Sequence, residues 1–132
     1  CLVGSEMCIR DRKLPLLLVA EDTDSNFLLV SLMFRKEFDI VRAVNGEEAV
    51  RICREMNPAA ILMDIKMPVM DGFEATRQIR RFDPAVPIVA VTAFAYDRDR
   101  QKALAAGANE YVAKPLSGEH IRRVLGTLLA GV

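Results

Sequence analysis

The chain has 132 residues, of which 52% are hydrophobic, and its 18 basic side chains balance 18 acidic ones. This length fits one domain, and the hydrophobic content is sufficient for a single core. Neutral charge is atypical of a nucleic-acid-binding surface, and no apolar run approaches the ~20 residues that span a bilayer. The three cysteines have neither metal-ligand spacing nor the density of a disulfide framework. We therefore expect a soluble domain in a reducing cytoplasm, with Cys53 in its core.

Residues 1–12 show neither strand alternation nor a helical apolar stripe that continues into the following segment. They also lack the apolar central region of a signal peptide. Their string is similar to translated sequencing-adapter DNA. We predict that residues 1–12 are extraneous or disordered, and that residues 13–132 form the domain.

Five apolar segments then alternate with helical patterns. The predicted strands lie near residues 15–20, 39–44, 59–64, 86–91 and 109–113. This alternation predicts an α/β fold, a doubly wound five-stranded parallel sheet with helices on both faces.

The predicted helices differ in their apolar faces. The first begins at Thr23 or Asp24 and is apolar around most of its circumference over residues 27–34, so we expect it to be the most buried helix. The second and the last, the latter with Ser117 as its N-cap, each carry an apolar stripe at helical spacing. These stripes are Ala49, Ile52, Cys53 and Met56 in the second helix, and Ile121, Val124, Leu125 and Leu128 in the last.

The fourth helix has the least apolar surface. It runs from Asp97 to Ala106 with Gly107 as its stop, and its only apolar face is Ala103, Leu104 and Ala106. Because few apolar contacts hold such a helix in place, it is the one we expect to move most readily.

Carboxylates follow two of the strands. Glu21 and Asp22 come after the first strand, and Asp64 ends the third. Ligands of open α/β sheets bind beyond the carboxyl ends of the strands, where these side chains meet. Three neighbouring carboxylates repel one another unless a hard cation lies between them, and oxygen ligands favour Mg²⁺ or Ca²⁺. Magnesium is the better choice where phosphate chemistry is expected.

The ends of the last two strands add a hydroxyl at Thr92 and an ammonium at Lys114. Taken singly, each polar residue has an ordinary explanation, such as a turn or cap acid, a strand-end threonine or a solvated lysine. Their coincidence at four strand ends favours a shared site.

These residues resemble the receiver domain of two-component response regulators over roughly residues 14–130. The resemblance rests on Glu21-Asp22, Asp64 within MDIKMPVMDG, Thr92-Ala93 and Lys114-Pro115, which recur in the same order. It implies a flavodoxin-like (βα)5 fold. The segments Glu21–Asn26 and Thr92–Tyr96 are most similar to receivers of hybrid histidine kinases.

The resemblance also implies a role for each matched residue. Asp64 is the phosphoacceptor, and Mg²⁺ is held by Glu21, Asp22, Asp64 and the backbone carbonyl of Lys66. The remaining matches serve phosphoryl binding and switching. They are Thr92 and Lys114 on the phosphoryl oxygens, Tyr111 as an aromatic that turns inward, and Pro115 after a cis peptide bond.

The predicted function is therefore a phosphoacceptor domain rather than an enzyme, assisting only its own phosphorylation and dephosphorylation. The donor is a histidine kinase or a histidine phosphotransfer protein, since His120, the only histidine, is expected to be an ordinary surface residue. Phosphorylation would signal by conformational change to an unknown downstream target, with a homodimer through helix 4, strand 5 and helix 5 as a further interaction. Neither direct nucleic-acid binding nor membrane association is expected.

Three alternatives remain open from the sequence. The domain is either a stand-alone response regulator or a fragment of a hybrid histidine kinase. An aspartyl-nucleophile phosphatase of the haloacid-dehalogenase type needs a second aspartate two residues after the nucleophile, where Lys66 stands. A phosphorylation-independent docking module would be marked by loss of one of the acids, Thr92 or Lys114, and none is lost.

Overall fold

A computed structural model of the chain describes residues 14–92, 97–114 and 118–130. The elements in chain order are β1 (Leu16–Ala20), α1 (Asp24–Phe34), β2 (Asp39–Ala43), α2 (Gly46–Met56), β3 (Ala60–Asp64), α3 (Gly72–Phe82), β4 (Ile88–Thr92), α4 (Asp97–Ala106), β5 (Glu110–Ala113) and α5 (Gly118–Ala130). The predictions for residues 1–12, for Ser117 and for the bond preceding Pro115 fall outside the described residues.

All five strands are parallel and form one sheet in the order β2-β1-β3-β4-β5. The central strands β1, β3 and β4 are buried along their whole length, because helices cover both faces of the sheet. The chain runs from β1 to one side of the sheet and from β3 to the other, so the crevice between their carboxyl ends is a topological switch point. The predicted doubly wound fold is confirmed, with strand bounds within two residues of those expected.

Two apolar cores lie on opposite faces of this sheet. On one face, α2 and α3 pack against β1, β3 and β4, and Cys53 is fully buried there. Burial raises the pKa of the Cys53 thiol to about 11, which fits an inert core residue. On the other face, α1 and α5 contribute Val30, Phe34, Ile121 and Leu125. The apolar stripes predicted for the second and last helices therefore face the cores.

The expectation for α1 was wrong, because it is not the most buried helix. Only Val30 and Phe34 are buried, whereas Leu28, Leu29 and Leu32 are 57%, 47% and 55% exposed. The helix lies on one face of the sheet beside α5, so only one side of its circumference reaches the core. Apolar content all round did not distinguish the buried side from the exposed one.

The predicted thin face of α4 is thinner still. Ala103 and Ala106 are buried, but Leu104 is 41% exposed. The helix ends as expected at Gly107, whose φ of 118° is a conformation that L side chains rarely adopt.

The loop that follows β3 is held by close backbone contacts. The Gly72 amide donates to the Ile65 carbonyl at 2.9 Å, and the Gly46 amide donates to the Met70 carbonyl at 3.0 Å. Asp71 caps α3 by accepting a hydrogen bond from the Glu74 amide at 2.9 Å. A Cβ at Gly72 would collide with the Asp64 carbonyl oxygen, so this glycine permits the close approach of α3 to the end of β3.

Two glycine substitutions should therefore have opposite effects on stability. Gly72→Ala should lower the free energy of unfolding by about 1–3 kcal/mol, because the added methyl overpacks against backbone. Gly126→Ala, at an exposed position of α5 and with no neighbouring atom within 4 Å of a Cβ, should raise it by about 0.5–1 kcal/mol. Urea unfolding of both variants checks this. Equal effects would contradict the close approach at Gly72.

Candidate functional site

Three polar side chains are buried at the carboxyl edge of the sheet. Glu21 after β1 and Thr92 at the end of β4 are each 4% exposed, and Asp64 at the end of β3 is 5% exposed. Burying two carboxylates so close together is costly unless other groups compensate their charge. The neighbours of these side chains therefore define the site.

Lys114, which follows β5, lies between the two buried acids. Its Nζ is 3.2 Å from Oε1 of Glu21 and 3.3 Å from Oδ2 of Asp64. Backbone amides meet the remaining carboxylate oxygens, since Thr23 N donates to Glu21 Oε2 at 3.2 Å and Lys66 N donates to Asp64 Oδ1 at 3.3 Å. Each oxygen of both acids thus has a partner.

The electrostatic consequences differ between the acid and the base. Burial, reinforced by the Glu21 carboxylate, raises the pKa of Asp64 to about 6, while Lys114 acts in the opposite direction. Burial acts to lower the pKa of Lys114, but the Asp64 and Glu21 carboxylates outweigh it and the net shift is upward. At neutral pH the lysine is therefore positively charged, and the cluster retains an excess of negative charge.

The acidic residues fit a divalent cation. Glu21, Asp22 and Asp64 each offer one carboxylate oxygen, and these oxygens lie within 4.8 Å of one another. Oxygen donors of this kind suit a hard cation such as Mg²⁺. Since Asp22 is exposed while the other two are buried, the group opens toward solvent on one side.

A cleft of about 650 Å³ adjoins the cluster, and Asp22, Lys66 and Thr92 line its wall. The structure thus brings together the residues that the sequence placed at four strand ends. Tyr111 is farther from the carboxylates, because it stands beside Ala90 in the sheet, two residues before Thr92, and is half-buried against the core on the α2 and α3 face.

Sequence reasoning missed Arg42, the last residue but one of β2. Its Nε donates to the Glu21 carbonyl at 3.0 Å, and its Nη1 lies 2.7 Å from Asp24 Oδ1. The signal available in the sequence was a charged residue within the largely apolar segment Ile40–Ala43.

Doubly wound parallel sheets bind their ligands at the switch point, and that is where this chain has its carboxylates, a threonine and a lysine. The chain belongs to the response regulator receiver domain family, whose model matches residues 17–125. This is a family of signalling domains rather than of classical enzymes, and the resemblance seen in the sequence is confirmed.

Relatives of two kinds are similar to the chain. Chemotaxis protein CheY of Halobacterium salinarum is 36% identical over 109 residues, covering 80% of this chain and 91% of that protein. Hybrid signal transduction histidine kinase I of Dictyostelium discoideum is 38% identical over 120 residues, covering 83% of this chain but only 7% of the kinase.

Solved structures agree with this assignment. The receiver domain of sensor histidine kinase PA1611 from Pseudomonas aeruginosa, which has a magnesium ion coordinated in its active site cleft, is 36% identical with a TM-score of 0.83, covering 89% of this chain and 98% of that one. A second similar structure is the complex of the Saccharomyces cerevisiae histidine phosphotransfer protein Ypd1 with the receiver domain of Ssk1. The matched chain is 31% identical with a TM-score of 0.82, and the match covers 90% of this chain and 92% of that one. Within the described residues of the present chain, no helix is long and apolar enough to cross a membrane.

The raised pKa of Asp64 predicts a pH-dependent effect of Asp64→Asn in the absence of divalent cations. Proton binding to Asp64 favours the folded state, and this stabilisation is fully present below about pH 4 and is lost as the pH rises through about 6. At pH 8 the free energy of unfolding of the variant, measured with urea, should therefore exceed that of the parent by on the order of 2 kcal/mol. This difference should shrink toward pH 4.5. Asp71→Asn, which keeps the α3 cap, controls for loss of one carboxylate outside the cluster. A difference independent of pH would contradict the assigned shift.

Proposed function

We propose that this domain accepts a phosphoryl group from a phosphohistidine donor on Asp64. The observation that carries the proposal is the placement of Asp64. It is a buried acid at the end of a central strand, at the switch point of the sheet, with Lys114 at one carboxylate oxygen and the Lys66 amide at the other. A nucleophile held in this way is oriented before the donor arrives.

The chemistry conserves atoms and charge within this arrangement. An oxygen of Asp64 attacks phosphorus, the new O–P bond forms as the N–P bond of the donor breaks, and the electron pair of that bond leaves on the imidazole. Lys114 offers its positive charge to one phosphoryl oxygen, and the Thr92 hydroxyl donates to another. Both groups reach the site from neighbouring strand ends.

Magnesium is the proposed cofactor. We assign its binding to Glu21, Asp22, Asp64 and the backbone carbonyl of Lys66, and the bound ion would supply positive charge to the phosphoryl oxygens. The carboxylate oxygens within 4.8 Å support three of these ligands. The magnesium-bound receiver of the Pseudomonas kinase supports the choice of ion.

Two other functions fit less well. An aspartyl phosphatase needs a second acid at position 66, and that side chain is a lysine. A module that docks without phosphorylation does not need buried carboxylates balanced by Lys114. The complete cluster therefore disfavours this alternative. The relatives support both a stand-alone regulator and part of a hybrid kinase, and the same site serves either one.

The donor we propose is a histidine kinase or histidine phosphotransfer protein, in keeping with the Ypd1 complex of the yeast relative.

Output would follow from Thr92 moving toward the phosphoryl group and Tyr111 turning inward beside it, which would shift the weakly buried α4. A homodimer through α4, β5 and α5 and an unknown downstream target are parts of the same proposal. The proposed location is the cytoplasm, which the sparse cysteines fit.

Phosphorylation tests the acceptor directly. Incubating the full chain with acetyl phosphate and Mg²⁺ should add one phosphoryl group by intact mass, and Asp64→Asn should remain unlabelled because it lacks the nucleophile. Asp71→Asn, an acid lining the same cleft, should be labelled like the parent. Equal labelling of Asp64→Asn, or acid-stable label on His120, would overturn the assignment.

Magnesium should also stabilise the fold, because it binds only where the carboxylates converge. The melting temperature should rise with Mg²⁺, corresponding to about 2.7 kcal/mol at a hundredfold excess over Kd. Asp22→Asn should lose most of this response and, having shed a repulsive charge, should melt higher than the parent without metal. Glu55→Gln, an exposed acid of α2 away from the cluster, should respond like the parent. A metal-free Asp22→Asn protein that melts clearly lower would make Asp22 a structural residue instead.

A further inference from the structure

One arginine spans the segment that carries two of the three clustered carboxylates. Arg42 lies on β2, which pairs with β1 so that Arg42 stands beside Val19. Its guanidinium donates to the Glu21 carbonyl through Nε and to Asp24 through Nη1, at 3.0 and 2.7 Å. The same group lies 5.0 Å from the centroid of the Phe27 ring. Arg42 therefore contacts the chain on both sides of Asp22.

Other contacts hold this segment mainly at Glu21, whose carboxylate is paired with Lys114 and accepts from the Thr23 amide. Its backbone is anchored at one end, where the Glu21 amide donates to the Ala43 carbonyl at 2.9 Å. Thr23, the N-cap of α1, makes no capping hydrogen bond with its side chain. Arg42 ties the first turn of α1 to β2 instead, because its guanidinium donates to the Asp24 side chain.

The charge and the geometry of Arg42 act on cation binding in opposite directions. A positive guanidinium near the carboxylates repels a divalent cation, whereas its hydrogen bonds to Glu21 and Asp24 fix the chain on either side of Asp22. The Arg42 side chain is 23% exposed and is paired with Asp24, whose side chain is 93% exposed, so solvent and this partner screen the guanidinium charge. The geometric effect is specific to arginine, because a lysine cannot reproduce the planar guanidinium that donates to both Glu21 and Asp24.

We propose that Arg42 is a positioning residue that holds the Glu21–Asp24 segment in the conformation required to bind a divalent cation. The inference depends on the proposed metal function of the cluster. Arg42 is not itself one of the proposed ligands. It acts through the backbone of Glu21 and the first turn of α1.

Magnesium affinity of the full chain, measured by isothermal titration calorimetry, tests the proposal with two variants. Arg42→Lys keeps the charge and loses the fork, and its Kd should rise about threefold to tenfold. Arg42→Gln loses both, and its Kd should also rise. If charge were the dominant influence, Arg42→Gln would bind more tightly than the parent and Arg42→Lys would bind equally well, and either result would overturn the proposal.

Arg51→Gln is the matched control, since Arg51 is an exposed arginine in an ion pair with Glu55 at 3.4 Å on α2. Its Kd should stay within twofold of the parent. Hydrogen exchange of the metal-free proteins supplies a second readout, in which amides of residues 21–27 should exchange faster in Arg42→Lys and unchanged in Arg51→Gln. Faster exchange spread evenly over the whole chain would indicate general destabilisation and would contradict a positioning role.

A parent protein that binds no Mg²⁺ would refute the metal function itself. A parent that binds, together with Arg42 variants of unchanged Kd, would refute only the role of Arg42. The two failures are therefore distinguishable in one series of titrations.

Discussion

The position of Lys114 between Glu21 and Asp64 is the interaction on which the site depends. Two acids that are each about 5% exposed or less repel one another at the end of a buried sheet, and an ammonium 3.2 and 3.3 Å away offsets that repulsion. The compensation is incomplete, because the pKa of Asp64 remains raised to about 6. The surplus negative charge would attract a divalent cation to this edge of the sheet.

The rest of the fold serves to bring these groups together. Parallel strands aim their carboxyl ends at one edge, and the order β2-β1-β3-β4-β5 sets the acids of β1 and β3 side by side. Gly72 lets α3 begin directly against the end of β3, so the loop carrying Lys66 stays close to Asp64. Arg42 approaches the opposite side of the cluster from the edge strand.

Much of this could be predicted from the sequence, for identifiable reasons. Strand ends were readable because apolar runs stop at polar residues such as Asp64 and Thr92, and parallel topology then requires those residues to converge. The burial of α1 was not readable, because Leu28, Leu29 and Leu32 are as apolar as the residues facing the core and only the packing beside α5 separates them. The role of Arg42 could not be predicted for a related reason. Its partners are a carbonyl and an acid that β1–β2 pairing brings near, and local sequence patterns do not reveal such contacts.

The distribution of the cluster along the chain also bears on how the protein folds. Glu21, Asp64 and Lys114 stand at the ends of strands β1, β3 and β5, which β2 and β4 separate along the chain. All such contacts close long loops, which makes parallel sheets slow to form. No early hairpin or single βα unit can assemble the carboxylates. A cation held there therefore recognises only states in which β1 and β3 are already paired, and its binding would not stabilise intermediates that lack this pairing.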